Sequence, residues 1–246
     1  MIDEPGIVSL STVGSTNSYA ARLLREGDVA EGTVVTALFQ SEGRGQSKNR
    51  WESEYGSNLL FSIVLFPTTI KPEDQFSISI AISLGIKDSL TRYLDSVKIK
   101  WPNDIYAGND KIAGILIESA ISGETIIHTI AGVGLNVNQQ KFISDAPNPI
   151  SMKMITGKEM DTAVVLDDLR ENIDRRYKKL LKEGREVMDG DYQRSLWRLG
   201  EWHRFRSGTT EFTGMITGTN RSGCLMIRDE SGKIREFAFR EIEYLR

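Results

Sequence analysis

Cysteine is almost absent from this chain. Cys224 is the only one in 246 residues, so no internal disulfide and no cysteine-based zinc cluster can form. Histidine is nearly as scarce, with only His128 and His203, which argues against a histidine-ligated metal centre. Positive charge is not in excess either: 31 Lys and Arg stand against 34 Asp and Glu, a formal net charge of -3. The broad cationic field that neutralises many phosphates is therefore missing, and nucleic acid is not an expected partner. No apolar run approaches the roughly 20 residues of a membrane span, and the opening MIDEPGIVSL lacks the basic and apolar segments of a signal peptide. Internal repeats and low-complexity segments are also lacking. These absences predict a cytoplasmic protein with no membrane partner.

What is present is a globular composition, 39% hydrophobic and 26% charged, long enough for one substantial core and a small appendage. Ile7 to Val13 is rich in β-formers, and the turn GSTNS leads into a helical pattern with Tyr19, Ala20, Leu23 and Leu24 on its apolar face. A second strand, Thr33 to Gln40, enters the polar stretch SEGRGQSKNR, after which SNLLFSIVLF reads as a buried strand. Pro72 opens a long helix with Phe76, Ile80, Leu84 and Leu90 on one buried face. VKIKW resumes strand character, and KIAGILIESAI and TIIHTIAGVGLNV form an antiparallel pair joined at SGE. Asp161 to Lys182 is an amphipathic helix carrying Leu169, Ile173, Tyr177 and Leu180. From about His203 short alternating strands follow, punctuated by NRSG and DESG. The expected fold is α+β, a mixed or antiparallel central sheet with flanking helices over residues 1–198, then a small β-barrel over 199–246.

Several clusters could carry chemistry. Gly43 to Trp51 (GRGQSKNRW) combines small residues with three cations and an aromatic ring, which suits an anionic ligand with a planar part; taken alone it also fits an exposed hairpin connection. Its spacing is not that of a Walker A loop. Lys100 to Asp104 (KWPND) holds an aromatic and two side chains able to bind adenine, ribose or Mg²⁺, or to close a simple Asx-type turn. Lys111, at the mouth of KIAGILIES, could stabilise carboxylate and phosphate charge, although on composition alone most lysines are merely solvated. Gly132 to Asn138 (GVGLNVN) ends an apolar strand with glycines that could leave room for a ring. The polar, proline-bearing loop from Gln139 to Ser151 could close over a ligand.

Order and spacing decide what no cluster does alone. With STN at Ser15 to Asn17, Gln40 before the GRG loop, Trp51, KWPND, KIAGILIE from Lys111 and GVGLNVN from Gly132, the chain resembles the biotin-protein ligases along nearly its whole length. The resemblance implies a class II synthetase-like catalytic domain with an SH3-like terminal barrel. It implies a two-step reaction: biotin and MgATP give biotinyl-5'-AMP and pyrophosphate, and the biotinyl group then passes to one lysine of a carboxylase carrier domain. ATP, biotin and Mg²⁺ are thus the expected small molecules, and no protein nucleophile is needed.

Carried over by position, the resemblance assigns Ser15, Thr16, Asn17 and Gln40 to the ureido ring, and Arg44, Gly45 and Gln46 to biotin and the adenylate phosphate. Trp51 packs against the intermediate. Lys111 meets the biotin carboxylate and the α-phosphate, with Arg44 and Asp104 as further catalytic groups; Asn103 belongs to the nucleotide, Asp104 to Mg²⁺ and the attacking lysine, Asn136 to adenine. The family loop commonly has glycine where Lys48 stands, a departure that implies a different loop conformation and, with it, altered adenylate retention or dimer contacts. The STN turn begins at residue 15, leaving no room for the helix-turn-helix of dual-function members, so direct operator binding is not expected; a homodimer is compatible with the resemblance. The alternatives are a lipoate-protein ligase, a non-catalytic biotin-binding sensor, and an adaptor acting through residues 203–246. GRGQ and KWPND favour biotin over lipoate.

Overall fold

The computed structural model describes residues 6–27, 29–46, 49–144 and 148–245. Lys48, and residues 145–147 of the expected closing loop, lie outside them. β1 (Ile7–Val13) leads through α1 (Thr16–Glu26) to β2 (Val34–Gln40), and the two strands pair in parallel. β3 (Leu59–Leu65) then turns antiparallel to β2. α2 (Phe76–Leu90) crosses to the far edge, where β4 (Val97–Lys100) and β5 (Asp104–Ala107) form a hairpin. The long hairpin β6 (Asp110–Ser122) and β7 (Thr125–Leu135) fills the middle, giving the order β1-β2-β3-β7-β6-β5-β4. The expected mixed sheet is present, with a single parallel pair at one edge.

β3 is buried at every residue because both faces of the sheet are covered. Val64 points to the α1 side and packs with Ala20, Val35 and Ile130. Its neighbours Phe61, Ile63 and Leu65 join the main core with α2. That alternation is the period of two expected of a strand, here apolar on both faces. Behind the sheet follow α3 (Met152–Thr156), α4 (Thr162–Glu183) and α5 (Glu186–Ser195).

α2 corrects one expectation. Rather than one buried face, it buries Ile78, Ile80, Ile82, Leu84 and Ile86 alike, because it lies between the sheet and α4. Gly85 permits that approach: a Cβ there would lie 2.6 Å from Ile173 Cα. Pro72 starts a short 3₁₀ turn, Pro72–Asp74, and the helix proper begins at Phe76, which is half-buried. The strand character of β5, and helices α3 and α5, were not foreseen.

The terminal segment forms β8 (Trp202–Ser207), β9 (Thr210–Thr219), β10 (Leu225–Asp229), β11 (Ile234–Phe237) and β12 (Glu243–Tyr244), an antiparallel five-stranded sheet in the order β11-β10-β9-β8-β12. Phe205, Phe212, Phe237 and Tyr244 form its aromatic core. It grips the KWPND segment through Trp101, whose Nε1 donates to Gly223 O at 2.8 Å, and the 3₁₀ turn before α2 through Arg221, which pairs with Asp74 at 3.0 Å. The terminal sheet therefore buttresses the turn that carries Asn103 and Asp104.

Candidate active site

At one end of the main sheet, α1 begins, β2 and β7 end, and the β4–β5 turn folds back. These termini line a single cavity of about 730 Å³, counting its open mouth. Into it come Ser15, Thr16 and Asn17 from the head of α1, Gln40 from the end of β2, and Arg44, Gly45, Gln46 and Trp51 from the loop that follows. Asn103 and Asp104 arrive on the hairpin turn and Lys111 from the start of β6. The sequence-predicted residues are thus brought together, except Asn136, which is not among the lining residues.

The deep end is a closed polar network. Thr16 donates to Gln40 Oε1 through its backbone N–H at 2.7 Å and its hydroxyl at 3.1 Å. Ser62 Oγ, fully buried on β3, lies 2.6 Å from Asn17 Oδ1 and 2.8 Å from Thr16 Oγ1. Asn17 gives its amide hydrogens to Leu116 O at 3.2 Å and Glu118 Oε2 at 2.7 Å. Asn17 can therefore offer a ligand only its remaining oxygen lone pair. The NH₂ of Gln40 makes no hydrogen bond among the described residues. An acceptor and a donor are thus held at the same end.

Two ion pairs flank this network, one of them through the Glu118 carboxylate that also takes Asn17. Lys111 Nζ meets Asp104 Oδ1 at 2.7 Å, both side chains being mostly covered, and Nζ sits 5.6 Å from the centroid of Trp51. Arg44 reaches Glu118 in bidentate fashion, at 3.0 and 2.9 Å. Main-chain bonds grip Lys111 as well: its N–H donates to Asn148 O and its carbonyl accepts from Ile150, where the loop after β7 returns. Asn103 donates its side-chain amide to Ile115 O at 2.5 Å and accepts from Ile115 N–H through its carbonyl, tying the KWPND turn to β6. Asn136 is buried, donates to Ile150 O, and leaves Oδ1 without a partner among the described residues.

The glycines of GVGLNVN make room as expected, but for this chain's own side chains. A Cβ on Gly132 would lie 2.2 Å from Asn17 Oδ1, and one on Gly134 2.4 Å from Trp51 Cε2. Sequence reasoning missed Ser62, Glu118 and Glu52. Ser62 is the one polar residue inside LLFSIVL, and Glu118 the one acid inside KIAGILIES, which were the available signals. Glu52 accepts from the backbone N–H groups of Ile143 and Ser144, both at 2.8 Å, and so clips the loop after β7 beside Trp51. Burial raises the Glu52 pKa, but the bonds from Ser144, Ile143 and Gln139 outweigh it and hold the carboxyl below its ordinary value.

No group of three or more His, Cys, Asp or Glu among the described residues could hold a metal. Asp104 is the one carboxylate among the described residues that line the cavity, and a single carboxylate can join substrate oxygens around a cation that arrives on a nucleotide's phosphates.

The model of the biotin/lipoate A/B protein ligase family matches residues 10–136. The chain belongs to this family. The matched span contains every residue lining the cavity and the strands from β2 to β7. Among curated proteins of the family, the biotin–[acetyl-CoA-carboxylase] ligase of Paracoccus denitrificans is 29% identical over 231 residues, 91% of this chain and 95% of that protein. The bifunctional ligase/repressor BirA of Bacillus subtilis is 27% identical over 226 residues, 89% of this chain and 68% of that protein. Among solved structures, biotin protein ligase from Aquifex aeolicus in complex with biotin and ATP superposes with a TM-score of 0.82 at 28% identity, covering 99% of this chain and all of that one.

Proposed function

We propose that this family member is a biotin-protein ligase. It couples biotin to the α-phosphate of ATP, releasing pyrophosphate, and transfers the biotinyl group to a lysine amine of a carboxylase carrier domain. The observation that carries the reading is one cavity joining a buried polar end to a pair of cations. A cyclic urea has two N–H donors and a carbonyl acceptor, and it meets the oxygen of Asn17 and the free amide hydrogens of Gln40. A dithiolane ring would leave those groups buried and unpaired, which favours biotin over lipoate.

In the first step the biotin carboxylate attacks the α-phosphorus and pyrophosphate leaves. Lys111 would meet the negative charge that gathers there, a role supported by its pair with Asp104, which holds the ammonium at the cavity beforehand. Asp104 would also hold the Mg²⁺ that accompanies ATP, whose chemistry is to neutralise phosphate charge. In the second step the neutral carrier amine attacks the acyl-phosphate carbonyl and AMP leaves. No side chain need form a covalent bond; alignment, charge neutralisation and exclusion of water are the protein's tasks. The loop clipped by Glu52 is suited to the last of these. A cytoplasmic setting, where ATP and carboxylases meet, follows from the reading, and no helix among the described residues is long and apolar enough to cross a membrane.

The test is incubation with MgATP, biotin and a biotin carrier domain, with lipoate in parallel, followed by the intact mass of the carrier. An ATP-dependent gain of one biotinyl group is expected. Gain with lipoate alone would move the chain to the lipoyl branch of its family, and biotin binding without any gain would make it a sensor.

A further inference from the structure

Glu118 stands outside the cavity lining but touches two residues that form it, from opposite sides. Its Oε2 accepts from Asn17 Nδ2 at 2.7 Å and from Arg44 at 2.9 Å, and its Oε1 accepts from Arg44 at 3.0 Å. Asn17 stands at the head of α1 and Arg44 in the loop after β2, so one carboxylate on β6 adds a third element to the contact that Thr16 and Gln40 already make between those two segments. The side chain is 40% exposed, more than a core contact needs.

We propose that Glu118 is a positioning residue that sets the polarity of the ring-binding end, a role that rests on the ligase reading above. A carboxylate can only accept, so Asn17 must turn its NH₂ toward Glu118 and Leu116 and its oxygen toward Ser62 and the cavity. Ser62 alone would leave the amide free to turn, since it can donate to the Asn17 oxygen or accept from its nitrogen; the Leu116 carbonyl favours one orientation through a bond of 3.2 Å. Glu118 adds the shorter, charge-assisted bond at 2.7 Å and fixes that orientation, so a ligand meets an acceptor at Asn17. The same carboxylate holds the guanidinium of Arg44 beside the ring-binding end.

Glu118→Gln is nearly isosteric but brings an NH₂ that meets an Arg44 donor in either orientation, and meets Asn17 as well where it takes the place of Oε2. Both orientations break a bond to Arg44 and remove the charge that holds the Asn17 NH₂. The test uses the full chain and measures biotin binding by calorimetry without ATP, together with KM for biotin and for ATP in carrier biotinylation. Glu118→Gln should weaken biotin binding about tenfold, with the rise in KM falling on biotin rather than on ATP. Glu118→Asp, charged but one methylene too short to hold both partners, should show the same selective loss in smaller measure. In an Asn17→Ala background the Glu118→Gln effect on biotin should shrink to the part that passes through Arg44, because the Asn17 contact is already gone. Wild-type affinity in Glu118→Gln, an undiminished loss in the Asn17→Ala background, or a loss confined to ATP would each overturn the role of Glu118 while leaving the ligase reading intact. A wild-type protein that binds no biotin would overturn the reading itself and this proposal with it.

Discussion

The indole of Trp51 lies where a side chain on Gly134 would stand, its Cε2 only 2.4 Å from the position of the missing Cβ. Gly134 pairs in register with Gly114 across β7 and β6, and a Cβ on Gly114 would lie 2.9 Å from Cζ3 of the same ring. Two facing glycines make a flat seat in the middle of the sheet, and Trp51 fills it. The loop carrying Arg44 is thereby anchored at its far end by packing, and Lys111 Nζ is brought beside the ring face.

Gly134→Ala should therefore act through Trp51. The added methyl cannot fit without moving the ring, and overpacking of this kind costs about 1–3 kcal/mol. We expect a lower unfolding midpoint in calorimetry together with a higher KM for biotin, because the displaced ring disturbs the adjoining loop. An unaltered midpoint and KM would show that the seat is not needed.

Lys111→Ala tests the first chemical step. Lys111 is paired with Asp104 and faces the cavity without packing into the core, so the fold should survive its removal. Loss of one preorganised donor at a developing charge is expected to slow biotin-dependent pyrophosphate release by roughly 10²–10³-fold. Release at the wild-type rate would remove Lys111 from the mechanism.

Much of this site is legible in the linear chain because its parts lie at element ends, where motifs are continuous. STN, GRGQ, KWPND and the Lys111 end of KIAGILIE each sit at a turn or strand terminus, and the sheet order brings those termini together. Ser62 and Glu118 were not legible as functional because they lie within strands, where a lone polar residue reads as an ordinary interruption of an apolar run. Only the strand order, with β3 beside β7 and β7 beside β6, carries them to Thr16, Asn17 and Arg44. The burial of α2 escaped periodicity for a related reason: a helix covered on most sides has no contrasting face for a 3.6-residue period to reveal. The seat for Trp51 was visible as glycines, but its occupant was not, since the two are far apart in sequence.

Ser62→Ala isolates the buried end of the site. The hydroxyl is fully buried, and its removal leaves Asn17 Oδ1 without its donor at 2.6 Å. A buried acceptor left unpaired costs about 1–3 kcal/mol, which should appear as a lower unfolding midpoint, and an Asn17 no longer held by that donor should bind biotin more weakly with ATP affinity little changed. A variant that loses affinity for both substrates alike would argue that Ser62 supports the fold rather than the ring-binding end.

The clip between Glu52 and the loop after β7 makes a pH-dependent prediction whose sign is fixed by the direction of the shift. Burial favours the neutral acid, but hydrogen bonds from Ser144, Ile143 and Gln139 favour the carboxylate and prevail, so the folded-state pKa lies below the ordinary 4.5. A depressed carboxylate stabilises its surroundings fully above the unfolded-state value and loses that contribution as pH falls through the folded-state value. The backbone amides of Ile143 and Ser144, which donate to Glu52, should keep constant hydrogen-exchange protection from neutral pH down to about 4.5 and lose it below, once intrinsic exchange rates are divided out. In Glu52→Gln, which can accept through one oxygen only and carries no charge, protection should be lower at neutral pH and independent of acidification. Protection that falls equally in both proteins would assign the effect to global acid unfolding, and protection that persists in both would show that the loop is held by Gln139 and its bonds to Glu54 and Asn58 instead.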